Sequence, residues 1–435
     1  MLFPRNDSTN GWSRIIAPRT PNKPLKASIK ADWIVVGGGL AGLAAARRLA
    51  ENRPDDSIVL LEADRVGEGA QGRNSGFAID APHNVGSSMS EMAAAESHLR
   101  LARAAIAYLK EQVVKYDIQC DWQVAGKFHA AVSQNGINTV LKPTLKTLEA
   151  LGEPHEWLEG KALHDKLGFD HFAAGIYTPG TVLLNPAALC HGLADSLPEN
   201  VTLYEQTPVS SIAHQDGVQV CTPNGTVTGK KLILTVNGWA TQFSYFKNRI
   251  IPLAAHASLT RQMTPEEQAR LGGLESWGLT PANAFVGITM RRTPDQRILI
   301  RQKMAYAPTL AMSDESRAEA RREHQALFDE RFPMLKGVTM EHTWTGIICV
   351  SRNGAPGFGK VAENVYSAVI HNGVGLTKAT AGGMLIADEA CGVDNHLLND
   401  VRLQGVPQAL PPSPLFDVGL RARFQWELWR HRAEA

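Results

Sequence analysis

The sequence predicts an α/β protein whose N-terminal part is a βαβ unit, and three stretches predict it. Ala31-Asp32-Trp33-Ile34-Val35-Val36 is a short apolar run of strand type. Residues 43–52 are rich in Ala and Leu at helical spacing, with Arg47 and Arg48 expected on the solvent side, and Pro54-Asp55-Asp56 ends them. Ser57-Ile58-Val59-Leu60-Leu61-Glu62 then reads as a second buried strand.

The other elements follow in chain order. Residues 1–30 hold four prolines among many polar residues and read as an arm over the surface. Residues 89–116 have helical spacing and few breakers, and residues 122–139 alternate as strands do. Residues 201–204 form a strand, and 218–222 with 226–228 form a hairpin about Pro223-Asn224-Gly225. A buried strand at 231–236 ends in Asn237-Gly238. A strand at 297–301, a charged helix at 313–332, a last strand at 365–371 and a helix at 377–391 complete the body. The tail is Pro-rich after Asn395 and helical from about Val418, with Phe424, Trp426 and Trp429 among arginines. A helix packed on the dinucleotide unit is the expected arrangement there, and a membrane-surface helix is the alternative.

Composition bounds the rest. At 435 residues the chain has room for about two to three domains. With 44 Lys+Arg against 43 Asp+Glu the net charge is +1, which gives no overall field for nucleic acid. Cys120, Cys190, Cys221, Cys349 and Cys391 lie far apart, so neither a redox dithiol nor a metal site is expected. No apolar run of about 18 residues occurs, so no membrane span is expected. With no signal-peptide pattern at the N-terminus, the expected compartment is the cytoplasm.

The chemistry concentrates after the first strand. Gly37-x-Gly39-x-x-Gly42 opens the helix: Gly37 for the tight turn, Gly39 for close approach of a pyrophosphate, Gly42 for helix–strand packing. The helix N-terminus, beginning at Leu40 and Ala41, offers amides and dipole to the phosphates. Glu62 ends the second strand, twenty residues after Gly42, where a carboxylate accepts ribose hydroxyls. An unphosphorylated ribose, as in FAD or NAD, suits it better than NADP. Gly67-x-Gly69-x-x-Gly72 matches the same spacing but has no second strand of its own. We read it as a loop touching the same cofactor.

Gly69-Ala70-Gln71-Gly72-Arg73-Asn74-Ser75-Gly76, following Leu61-Glu62-Ala63-Asp64-Arg65-Val66-Gly67, resembles a segment of the D-amino-acid-oxidase-like FAD-dependent oxidoreductases, and within them of the γ-glutamylputrescine oxidase branch. Leu184-Asn185-Pro186-Ala187, Thr207-Pro208-Val209, residues 231–238, Trp344-Thr345-Gly346 with Pro356-x-x-Gly359, and Gly373-Val374-Gly375-Leu376-Thr377 resemble later segments of that family, in order. The resemblance spans residues 31 to about 391.

It implies a Rossmann-like FAD domain of glutathione-reductase type, assembled from residues 31–120, 181–245 and 344–395. An α+β substrate domain with an antiparallel sheet would take residues 121–180 and 246–343, leaving 1–30 as the arm and 396–435 as the tail. Non-covalent FAD would lie with its adenosine at Glu62 and Val209, its pyrophosphate at the first glycine loop, and its ribityl chain and ring near Arg73, Asn74, Ser75 and Gly76. Ala63, Arg65, Gly69, Ala70, Asn237 and Gly238 are further expected cofactor contacts. The backbone of Gly373, Val374, Gly375, Leu376 and Thr377 would approach the pyrimidine end.

The reaction implied is C–N oxidation of an amine or amino acid by hydride transfer to the flavin, giving an imine that hydrolyses to a carbonyl compound, with O2 as acceptor. Open beside it stand a dehydrogenase of the same fold using a quinone or other acceptor, and a flavin-bound scaffold without turnover. An NAD-dependent dehydrogenase would leave the later segments unexplained. A substrate carboxylate needs a cation. Arg301 is the first choice, ahead of Arg261 and Arg291, with a structural salt bridge as the equal alternative. His256 and His371 either face the substrate or serve the core, and Trp344 either walls the pocket or packs. Phe77, Val374 and Thr345 depart from the branch's pattern, which leaves the substrate open.

Overall fold

The computed structural model describes residues 3–4, 7–81, 94–214 and 217–434, and for Lys303 the backbone alone. Residues 89–93 of the expected 89–116 helix lie outside it; the rest forms the helix Ala95–Lys115. Among the described residues there are two eight-stranded sheets and a three-stranded ribbon.

The first sheet is wound about Ile29–Val36, whose last four residues are buried on both faces, as a central parallel strand must be. It pairs in parallel with Ile58–Leu61 on one side and Gly225–Leu234 on the other, and Val201–Tyr204 and Val365–Val369 extend the parallel core. The predicted hairpin of Val218–Thr222 with Gly225–Leu234 forms as an antiparallel flap. The helices Leu40–Asn52 and Gly375–Cys391 pack on one another, and Gly383 permits it: a Cβ there would stand 2.2 Å from the Ala41 carbonyl oxygen.

Arg47 does not face solvent, and Arg48 does so only in part. Arg47 is buried and donates to the carbonyls of Leu193 and Ser196, at the end of the helix Pro186–Asp195. Arg48 pairs with the buried Asp388 at 2.7 Å. The expectation failed because helices cover this helix on more than one side.

The second sheet runs Met340–Val350, Ile251–Thr260, Ile298–Tyr306, Thr289–Arg292, Trp277–Pro281, Lys127–Ala131, Ala174–Thr178 and Glu156–Glu159. Its pairs are antiparallel except that between Trp277–Pro281 and Lys127–Ala131. Met340–Val350 pairs along Ile251–Thr260, so residue 344 falls inside a strand of this sheet. Strand character in 122–139 stops at Ala131, because Ser133 caps a helical turn by accepting the Gly136 amide.

The arm and the tail are both tied down. The arm's short helix Gly11–Arg14 buries Trp12 edge-on against Trp344, ring centroids 6.2 Å apart, and Trp12 Nε1 donates to the Asn74 carbonyl at 2.7 Å. The tail helix Leu415–Arg430 packs on the second sheet, not on the dinucleotide unit. Phe424 meets Phe285, and Tyr306 Oη donates to Asp417. No helix among the described residues is long and apolar enough to cross a membrane.

Candidate active site

At the carboxyl ends of the parallel strands the chain turns away and leaves a cavity of about 660 Å³, the expected place for a ligand on a wound sheet. A second cavity of about 140 Å³ adjoins it under the other sheet, and Ala70, Gln71, Arg73, Asn237, Ile347, Cys349 and His371 line both.

The first glycine turn is built by crowding. Gly37 has φ +109°, and a Cβ on Gly42 would stand 1.8 Å from the Gly37 carbonyl oxygen. Gly39 begins the helix Leu40–Asn52 without a side-chain cap, so its first amides remain for a ligand. Glu62 accepts from the Gly38 amide at 2.6 Å and from the Asp64 amide at 2.9 Å. Burial pushes its carboxyl up from its ordinary value, and these two amides oppose the shift.

The far end of the site is held by two asparagines. Ile370, a β-branched residue at φ +61°, precedes His371, and its amide donates to Asn237 Oδ1 at 3.1 Å. Asn372 accepts from the Ser351 amide and donates to the carbonyls of Gly354 and Ile370. The strained turn thus hangs between the end of one strand and a loop more than a hundred residues away.

Of the residues expected from sequence, Gly37, Gly39, Ala41, Glu62, Ala63, Arg65, Gly69, Val209 and Gly238 line the larger cavity, together with the shared Ala70, Arg73, Asn237 and His371. Asn74, Ser75, Arg301, Gly373, Val374, Gly375 and Leu376 line the smaller one. Six line neither. Leu40 sits in the core, Gly42 fills the helix–strand contact, and Gly76, at φ +78°, lies against the Leu184 carbonyl. Thr377 faces a separate cavity of about 50 Å³. His256 is buried between Thr345 Oγ1 at 3.0 Å and Ser316 Oγ at 3.1 Å, next to a register shift in its strand. Trp344 is fully buried and donates from Nε1 to the Arg73 carbonyl at 2.9 Å. His256 and Trp344 therefore stand behind the wall.

Arg301 is the charged group of the smaller cavity with no acid opposite it. Its Nη2 donates to Thr289 Oγ1 at 2.8 Å and its Nη1 to the Ala284 carbonyl at 3.1 Å, and among the described residues no carboxylate pairs with it. Burial pulls it down to about 10, so it remains a cation at neutral pH. Arg261 is committed to Glu267 at 2.7 Å. Arg291 is buried, donates to the Leu184 carbonyl at 2.6 Å and stacks 5.2 Å from the Trp12 ring. His371 is pushed down to about 4 by burial and by Lys378, and is neutral in the working range. Arg73 is held by Asp7 at 2.7 Å and donates to the carbonyls of Glu68 and Thr345.

Sequence reasoning passed over Gln71 as a site residue, and took Cys349 only as one of five separated cysteines, not as a flavin attachment. Gln71 lies inside the second glycine segment, and that position was its signal. Its Oε1 is buried without a hydrogen-bond partner among the described residues and lies 3.2 Å from where a Cβ of Gly375 would stand. Cys349, one residue before the end of its strand, is buried, and burial pushes its thiol up to about 12.

These features fit an extended dinucleotide. The larger cavity is of cofactor size, open space lies before Gly69, glycine backbone and free helix amides face it, and Gln71 Oε1 waits unpartnered. Glu62, Val209 and the two glycine turns would hold FAD at the adenosine and phosphate end. Residues 237–238 and 373–376 would hold it at the other.

The sequence profile described as FAD dependent oxidoreductase (DAO) matches residues 32–389. The chain is 27% identical over 389 residues to the gamma-glutamylputrescine oxidoreductase of Escherichia coli, covering 85% of each chain. It is 26% identical over 384 residues to a probable oxidoreductase OrdL of Haemophilus influenzae, covering 86% of each. The fold superposes on glycine oxidase from Geobacillus kaustophilus with a TM-score of 0.69 at 19% identity, covering 84% of this chain and 96% of that one. It superposes on L-proline dehydrogenase from P. horikoshii with a TM-score of 0.69 at 18% identity, covering 89% and 100%. With its profile match running through both sheets and both glycine turns, the chain belongs to the FAD dependent oxidoreductase family and takes FAD as its cofactor.

Proposed function

We propose that the protein oxidises the C–N bond of a small amine that carries a carboxylate, an amino acid or an N-substituted relative, to an imine that water hydrolyses to a carbonyl compound. The observation that carries this is Arg301: a half-buried guanidinium at the wall of the smaller cavity with two neutral partners and, among the described residues, no acid. A desolvated cation left without a counter-ion in a protein is costly, and an incoming carboxylate relieves that cost. When bound, FAD supplies the acceptor for the hydride.

The chain's own contribution is placement and charge. Arg301 orients the carboxylate, and Thr289 fixes the guanidinium from the neighbouring strand. The smaller cavity contains no carboxylate among its described residues, and Arg301 and Arg73 both disfavour a second positive charge. The site therefore favours the neutral amine, the form whose lone pair assists C–H cleavage. Among the described residues lining the smaller cavity, neutral His371 is the imidazole placed to exchange a proton there.

The names of the relatives, a gamma-glutamylputrescine oxidoreductase, a glycine oxidase and a proline dehydrogenase, support a carboxylated amine as substrate. We take O2 as the acceptor, with hydrogen peroxide as the second product, and the cytoplasm as the compartment, a reading that the five unpaired cysteines support.

The test is aerobic turnover of the holoenzyme with amino acids, N-alkyl amino acids and γ-glutamyl amines, reading peroxide and trapped carbonyl product together. One class should yield both in equal amounts. Carbonyl product that forms only with an added quinone or dye would assign the acceptor to the dehydrogenase alternative.

A further inference from the structure

The tail helix Leu415–Arg430 has two apolar faces, and the fold uses one. The inner face is fixed by its contacts: Phe416 against Tyr306, Asp417 accepting from Tyr306 Oη, and Phe424 against Phe285. At about 100° per residue, Leu415, Val418, Ala422, Trp426 and Trp429 fall on one stripe of the opposite side. They are exposed there, Val418 by 65%, Trp426 by 45% and Trp429 by 67%. Two indoles and a valine turned to water on a single stripe are not the scattered apolar exposure of an ordinary surface.

The charges beside the stripe have one sign. Arg421 borders one edge and Arg430 the other, with Arg430 stacked 4.8 Å from the Trp426 ring, and Arg432 follows just beyond. The acids of the segment point inward. Asp417 holds Tyr306, Glu427 is buried beside His431 and Arg423, and Glu434 accepts from the amides of Val132 and Ser133. The outward face is therefore apolar at its centre and cationic at its rims.

We propose that this face docks on the surface of an anionic phospholipid bilayer, the helix lying in the plane of the membrane. Indoles favour the headgroup level, and arginines flanking an apolar stripe reach up to lipid phosphates. With a net charge of +1 for the whole chain, the attraction is local to this helix. The docked helix also stands next to the substrate site. Phe424 packs in the same cluster as Ala255 and Met304, which line the smaller cavity, so docking would set that wall towards the membrane surface.

The experiment is co-sedimentation of the full-length holoenzyme with vesicles of equimolar phosphatidylglycerol and phosphatidylcholine, and with phosphatidylcholine alone. Binding to the anionic vesicles and not to the neutral ones is expected. The pair Trp426→Ser and Trp429→Ser should abolish it, and Arg421→Gln with Arg430→Gln should weaken it roughly 10- to 30-fold. Flavin content and turnover in solution should be unchanged in both pairs, which separates loss of docking from loss of fold. No sedimentation with anionic vesicles, equal binding to neutral ones, or binding indifferent to these substitutions would overturn the proposal. So would lipid-free self-association that the tryptophan pair abolishes, because the face would then belong to a second copy of the chain.

Discussion

Arg301 and Thr289 face each other across two neighbouring antiparallel strands, and the guanidinium Nη2 donates to the threonine hydroxyl at 2.8 Å. The pair holds a cation at the end of a cavity without neutralising it. This is the arrangement expected of an anchor for an anionic group, and it opposes stability and function at one residue.

Arg301→Met should lower kcat/KM about 30- to 1000-fold, the effect of losing about 2–4 kcal/mol of charge-assisted bonding, while flavin content stays the same. Stability should change by less than about 1 kcal/mol, because the substitution removes a half-buried charge together with its bonds. Thr289→Val should cost roughly fivefold, mainly in KM. Steady-state kinetics beside thermal melts of the same preparations check all three.

Two glycines separate folding from cofactor binding. A Cβ on Gly42 would lie 1.8 Å from the Gly37 carbonyl oxygen, whereas one on Gly69 meets nothing within 4 Å. Gly42→Ala should therefore destabilise the cofactor-free protein by about 1–3 kcal/mol. Gly69→Ala should leave it unaffected yet weaken FAD binding about tenfold, since its methyl group enters the cavity. Denaturant unfolding of the apoprotein and fluorescence titration with FAD distinguish them.

The turn before His371 depends on Asn237. Asn237→Ala removes the acceptor of the Ile370 amide and frees a backbone held at φ +61°. We expect about 1–3 kcal/mol lower stability and faster flavin release, and Asn237→Asp, which keeps an acceptor, should recover most of both.

Acid should destabilise the fold through its buried imidazoles. Burial and Lys127 push His129 down to about 3, burial and Arg331 push His171 down to about 4, and burial and Lys378 push His371 down to about 4. Each takes up its proton in the unfolded chain near 6.5, before the native state does. Stability from these groups is thus full above about pH 6.5 and falls as the pH drops towards 4. Urea unfolding at pH 7, 6, 5 and 4.5 should show this slope, and His371→Asn should make it shallower.

The cofactor half of the site was legible because its chemistry is written in consecutive residues. Gly37, Gly39 and Gly42 are spaced by the turn they make, and Glu62 follows from the length of one βαβ unit. The substrate half was less so. Arg301 and Met304, Thr289, and Ala255 converge from three strands of a sheet whose register no local pattern records. Arg301 was found by its chemistry, as a cation on an apolar strand. Trp344 and His256 lie on the correct strands, but their side chains point into the core. The arginines of the helix Leu40–Asn52 misled because amphipathic spacing cannot show that further helices will cover the polar side. The tail helix carries two apolar faces, so its pattern could not say which one packs.

The most direct test of the account is anaerobic stopped-flow bleaching of the flavin band by pairs of compounds that differ only in a carboxylate, such as an amino acid and the amine left by its decarboxylation. The account predicts fast bleaching by the carboxylated member of one pair, slow or no bleaching by its partner, and loss of the difference in Arg301→Met. Equal bleaching by both members, or a preference that survives Arg301→Met, would contradict it.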